Sequence, residues 1–260
     1  KEYWELHDTR TDFSLANDLA AKFPDKLKQM QNLFMSEAVK YQVLPIDDRI
    51  QERMNAEIAG RPDLMAGRTS LTVYEGMTGM SENVFINVKN QTHAVTAQVQ
   101  VPQSGAEGVI LAQGGRFGGW SLYLKDGKPT FSYNWLGLKR YTIAASDKLN
   151  AGNASIRYEF DYDGGGYGKG GMGRLIVNGE KVAEGRIDST HGYVFSPDEG
   201  ADVGQDGETP VVEDYGISAP YKFTGKIDKV TIDLNKNNPD DKKKADAAYR
   251  EAMAQRLLWD

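Results

Sequence analysis

Between residues 69 and 234 apolar and polar residues alternate with a period of two, in short runs separated by turn residues. A period of two puts successive side chains on opposite faces, so these runs predict half-buried strands rather than helices. They read "TSLTVYEG" (69–76), "VFINVKN" (84–90), "HAVTAQVQV" (93–101), "GVILAQGG" (108–115), "WSLYLKDGKPTFSYNW" (120–135), "YTIAAS" (141–146), "SIRYEFDYD" (155–163), "GRLIVNGEKVAEGRI" (173–187) and "FTGKIDKVTIDL" (223–234). Asp126-Gly127 and Asn178-Gly179 each lie inside such a run. Two-residue turns that need positive φ at both positions favour these pairs, so each marks a hairpin. About ten short strands joined by turns predict a mainly β chain folded as an antiparallel sandwich over 67–235.

The flanks follow a different rule. Tyr3-Trp4-Glu5-Leu6 reads as a strand, and "HDTRTDFSLAND" (7–18) is rich in residues that bond their own backbone in turns. Pro24 suits a first helical position, and Asp25 suits the positive end of the helix dipole. Leu27, Met30, Leu33, Phe34, Ala38 and Tyr41 then recur at three and four, one apolar helical face that Pro45 ends. Residues 46–66 connect this piece to the strands. Beyond the last strand, Asn238-Pro239-Asp240 starts a C-terminal helix over 236–260, with Ala245, Ala248, Tyr249, Ala252, Met253 and Leu257 on one face.

Composition narrows the partners. The formal charge of −6 and pI near 5.3 supply no basic excess for a polyphosphate, so nucleic acid is excluded as the expected partner. The chain has no Cys, hence no disulfide, thiolate zinc site or Cys nucleophile. No apolar run is long enough to span a membrane as a helix.

Two stretches resemble a known family. "WELHDTRTDFSLANDLAAKFPDKLKQMQNLF" (4–34) resembles the C-terminal end of the sulfatase catalytic domain, with Trp4, Glu5, Leu6, His7, Asp8, Thr11, Asp12, Asn17, Asp18, Leu19, Ala20, Pro24 and Phe34 at the matching positions. It departs at Phe13-Ser14-Leu15-Ala16, where the family has a Pro-Gly-Glu type turn. The later stretches "GGWSLYLKDGKPTFSYNW", "DVGQDGETPV" and "FTGKIDKVTIDL" look like the extra C-terminal domain of large bacterial arylsulfatases, a concanavalin A-like or laminin-G-like sandwich. The resemblance implies a jelly-roll-like sandwich preceded by a strand–helix remnant of an α/β sulfatase domain (1–45). It also implies a C-terminal fragment, inactive alone, of a periplasmic or secreted arylsulfatase. Such a parent hydrolyses sulfate esters with formylglycine and a divalent cation, usually calcium. The expected partners are the missing catalytic domain, a sulfated glycan or a second copy of the chain. The alternative is an autonomous glycan-binding module.

The family's nucleophile motif, Cys or Ser-x-Pro-x-Arg, is nearly matched by Ser218-Ala219-Pro220-Tyr221-Lys222. Lys replaces the planar fork of Arg there, and the stretch reads as a loop ahead of a strand. His7 beside Asp8 could orient an imidazole, but neighbours on a strand face opposite ways, and the resemblance implies a framework role for this strand. Seven Gly in "DGGGYGKGGMG" (163–173) precede a strand rather than a helix, which argues against a phosphate loop. Asp161 and Asp163, with Asp202 and Asp206, are candidate calcium ligands, being hard oxygen donors on loops beside strands. Asp198, Glu199 and Glu208 lie in the same acidic stretch. Trp120, Tyr133 and Trp135, with Tyr123, are candidate platforms for a sugar if their rings face outward.

Overall fold

The computed structural model describes residues 3–46, 62, 64–207 and 209–234. The chain divides into two compact units, 1–59 and 60–260. The expected C-terminal helix and most of the connecting segment lie outside the described residues.

The larger unit is an antiparallel β-sandwich. Its strands are β1 (Ser70–Val73), β2 (His93–Val101), β3 (Gly108–Gly115), β4 (Gly118–Lys125), β5 (Lys128–Trp135), β6 (Lys139–Ala144), β7 (Gly152–Tyr162), β8 (Lys169–Val177), β9 (Glu180–Ser189), β10 (Ala201–Val203) and β11 (Lys226–Leu234). One sheet has the order β1-β11-β2-β7-β8-β9 and the other β10-β3-β4-β5-β6. Asp126-Gly127 and Asn178-Gly179 turn β4 into β5 and β8 into β9 with positive φ at all four residues, as that dipeptide chemistry requires. Alternation places Val95, Ala97 and Val99 of β2 and Ile156, Tyr158 and Phe160 of β7 between the sheets. Trp120, Leu122 and Leu124 of β4, with Phe131 and Tyr133 of β5, meet them there.

The five-stranded sheet is buried on both faces at strands β3, β4 and β5. Its outer side chains Val109, Ala112 and Tyr123 pack under Val211 and Tyr215 from the segment between β10 and β11. Two predictions at strand level need correction. Residues 84–90 lie in no sheet. Phe85, Ile86 and Val88 are buried loop residues, and their apolar character reports burial rather than pairing. Conversely β10 falls inside the stretch read as acidic loop and pairs with β3.

In the smaller unit, the helix α1 spans Pro24–Lys40, with Pro in the first turn and Asp25 beside it as expected. Residues 3–6 are not a strand. They are held by a turn network instead. Leu6 N–H donates to Asp18 Oδ1 (3.0 Å) and Leu19 N–H to Leu6 O (2.7 Å). Asp12 accepts from Ala16 N–H and Asn17 N–H, and His7 Nδ1 bonds Asn17 O. The polar residues that carry the sulfatase resemblance thus serve the turn, which agrees with a framework role for His7 and Asp8. Of the predicted apolar helix face only Ala38 is buried; Met30, Leu33, Phe34 and Tyr41 stay exposed.

Candidate binding rim at one end of the sandwich

The strands place the predicted aromatic platforms inward. Trp120 is 1% exposed and Tyr133 7% exposed, both between the sheets. Trp120 Nε1–H donates to Gln113 Oε1 (2.9 Å), and Tyr133 Oη accepts from His191 N–H (2.7 Å). Trp135 packs half-buried against the same core. Tyr123 is buried beneath Tyr215, ring centroids 4.8 Å apart. An even position on one strand and an odd one on the next share a face here, and the sequence pattern does not say which face is wet. Neither Trp120 nor Tyr133 can therefore stack on a sugar from outside. They do come together, lining a small cavity with Lys89, His93, Tyr158 and Phe195 that has room for about one water. Lys89 Nζ is held there by Glu82 Oε2 (2.9 Å). Burial lowers the Lys89 pKa and pushes His93 down to about 4.

The four candidate calcium ligands do not converge. Asp161 is paired with Arg174 and Asp163 with Arg186, on the larger sheet and its β7–β8 connection. Asp202 accepts from Gly79 N–H (2.7 Å). Asp206 is buried in the other sheet's cover, where it accepts from Gly207 N–H, Val211 N–H and the Tyr215 hydroxyl. Desolvation raises its pKa to about 6 in spite of those donors. Among the described residues no three His, Asp or Glu side chains form a ligand set. Pairing with arginine and backbone N–H, which spacing cannot reveal, accounts for their positions.

Neither sheet offers an open aromatic face. The outer side of the six-stranded sheet carries the cross-strand rows Thr72-Thr231-Thr96-Arg157-Ile176 and Ser70-Asp233-Ala94-Glu159-Arg174. These rows contain no ring, and their polar groups bond each other, as Arg157 does with Thr96 Oγ1 and Glu159 (both 2.8 Å). In the five-stranded sheet the outer side of β3, β4 and β5 lies under the cover, and the edge strand β6 exposes Thr142 and Ala144 there. At the end of the sandwich where the β3–β4 and β5–β6 turns meet the segment after β9, large apolar side chains are exposed.

That rim is rigidly built. Asn134, fully buried on β5, donates from Nδ2 to Gly115 O (2.9 Å) and Arg116 O (2.8 Å), and its Oδ1 accepts from Gly137 N–H (3.0 Å). Arg116 N–H donates to Thr209 O (3.1 Å). Leu136 N–H (3.2 Å) and Asn134 O (3.3 Å) both approach His191 Nε2, and burial pushes the His191 pKa down. A Cβ at Gly118 would collide with the His191 ring, so only Gly allows this close approach. On this scaffold Phe117 is 64% exposed, Leu136 49% and Leu138 78%. Tyr193, 57% exposed, stacks on Tyr167 with centroids 5.5 Å apart and planes 6° apart. The sequence reading passed over Arg116 and Phe117. The signal was present as a two-residue tip, Arg-Phe, between Gly pairs at 114–115 and 118–119. A large ring at a hairpin tip has little core within reach.

No family model matches the chain, and no curated protein matches it. Among solved structures it is similar to the Ruminococcus gnavus IT-sialidase CBM40 bound to α2,3-sialyllactose, at 14% identity over 66% of this chain and 93% of that one, TM-score 0.43. It is similar to domains LG4-5 of the mouse laminin α1 chain, at 14% identity over 66% and 40%, TM-score 0.39. A third is domain 4 of the Geobacillus stearothermophilus arabinanase AbnA in complex with arabinotriose, at 15% identity over 60% and 66%, TM-score 0.38.

Proposed function

We propose that the sandwich is a glycan-binding module whose contact surface is the rim of loops around Phe117. The observation that supports it is a large ring held two-thirds exposed on a hairpin tip whose Arg116 backbone is bonded to Thr209 and Asn134. An apolar ring in water is unfavourable unless something covers it, and a fixed ring loses little entropy when a sugar's apolar face does so. The test is a glycan microarray probed with the intact chain, followed by titration of the best ligand. Phe117→Ala should lower affinity by about tenfold or more, roughly the contribution of one stacked ring, with an unchanged melting temperature. Binding that survives F117A intact would place the contact elsewhere.

A second reading is favoured by the smaller unit. Its helix presents Met30, Leu33, Phe34 and Met35 to solvent and buries one side chain, Ala38, among the described residues. An amphipathic helix with its apolar side uncovered suits a piece of a larger domain, here the end of an arylsulfatase catalytic domain that the sandwich supports. Under this reading the source reading frame, extended upstream, contains a Cys or Ser-x-Pro-x-Arg motif, and the 260-residue chain does not hydrolyse a chromogenic aryl sulfate. A frame without the motif, or hydrolysis by the chain alone, overturns it. A periplasmic or secreted location goes with either reading.

A further inference from the structure

We infer that the ligand of this rim carries an anion, a carboxylate or a sulfate ester, and that Arg116 receives it. This rests on the glycan-binding reading and adds the ligand's chemical class. The strand arginines are committed elsewhere: Arg140 to Glu213, Arg157 to Glu159, Arg174 to Asp161 and Arg186 to Asp163. Arg116 differs. It is exposed, and among the described residues its guanidinium has neither an ion pair nor a hydrogen bond.

Two carboxylates at this end have other hydrogen-bond partners among the described residues. Glu199 accepts from Thr209 N–H (3.0 Å) and the Thr209 hydroxyl, and Glu82 accepts from Phe195 N–H (2.6 Å) while pairing with Lys89. Arg116 forms no ion pair with a carboxylate among the described residues, in a chain that carries −6 overall. Its presentation is also fixed, because the Arg116 backbone is bonded through both N–H and C=O to Thr209 and Asn134. A planar guanidinium fork matches the paired oxygens of a carboxylate or sulfate, and Phe117 beside it supplies the apolar surface for the ring that bears the anion.

The test uses the intact chain on a microarray holding neutral, carboxylated and sulfated glycans, then titration of a matched acidic and neutral pair. Acidic members should bind about tenfold or more tightly than their neutral counterparts, with a preference that weakens at high salt. Arg116→Gln should bring the acidic member down to the neutral one. Arg116→Lys should keep only part of the preference, since the charge stays and the fork is lost. The carboxylated and sulfated arms separate the two anions. Equal binding of acidic and neutral members, or an acidic preference that survives R116Q, overturns the inference and leaves the glycan-binding reading standing. Absence of binding to every member overturns both.

Discussion

Asp206 and His93 are both buried, and burial acts on them in opposite senses. Asp206 rises to about 6 because desolvation outweighs its three donors, so the folded state holds a proton that the unfolded chain releases near pH 4. Its stabilisation is complete below that pH and is lost as pH rises through about 6. His93 falls to about 4, so its stabilisation is present above pH 6.5 and is lost as pH falls through about 4. Each effect is on the order of 3 kcal/mol at most, and between pH 4 and 6 they offset each other. Urea unfolding of the intact chain should therefore show a weak net dependence from these two groups. D206N should gain stability with rising pH over that window, and His93→Phe should lose it. Parallel curves for the two variants would contradict the assignment.

At the scale of elements, hairpin tips and strand faces separate the proposed binding from stability. Trp120 fills the core of β4 and donates to Gln113, so Trp120→Ala leaves a cavity and an unpaired buried amide. We expect a loss of about 3–5 kcal/mol in urea unfolding. Gly118→Ala, one residue from Phe117, should cost about 1–3 kcal/mol because its Cβ meets the His191 ring, and it should disturb the rim as well. Phe117→Ala, two-thirds exposed at the tip, should leave stability within about 0.5 kcal/mol. The elements themselves were largely legible in the sequence. Period two and the Asp-Gly and Asn-Gly turns located ten of the eleven strands, all but β10. "VFINVKN" misled because a buried loop and a buried strand share the same apolar composition. β10 escaped notice because a three-residue strand carries too few residues to show a period.

At the scale of the molecule the two units differ in what holds them. Residues 60–260 contain the inter-sheet core and the smaller core beneath Val211 and Tyr215. The described part of residues 1–59 has no comparable core; its order comes from turn hydrogen bonds and the Trp4–Phe34 edge contact at 5.4 Å. Deleting residues 1–59 should therefore leave the cooperative unfolding transition of the sandwich in place, with the same urea slope per residue, because that slope follows the surface exposed on unfolding. Loss of the transition in the shortened chain would show that the sandwich depends on the first unit.

Class, hairpins and the acidic balance could be read from the chain because each is a local property: alternation depends on neighbouring residues, turn φ on two residues, net charge on a sum. The candidate site could not be read in the same way. Whether Trp120 faces core or solvent depends on which side of its strand a second sheet covers. Whether Asp161 and Asp163 are free ligands depends on arginines brought alongside by β8 and β9. Arg116 and Phe117 became a rim only when Asn134, Thr209 and His191, distant in sequence, fastened their hairpin tip. These contacts join residues up to about a hundred positions apart, and side-chain partners at that range are set by the packing of whole sheets rather than by any pattern within a strand.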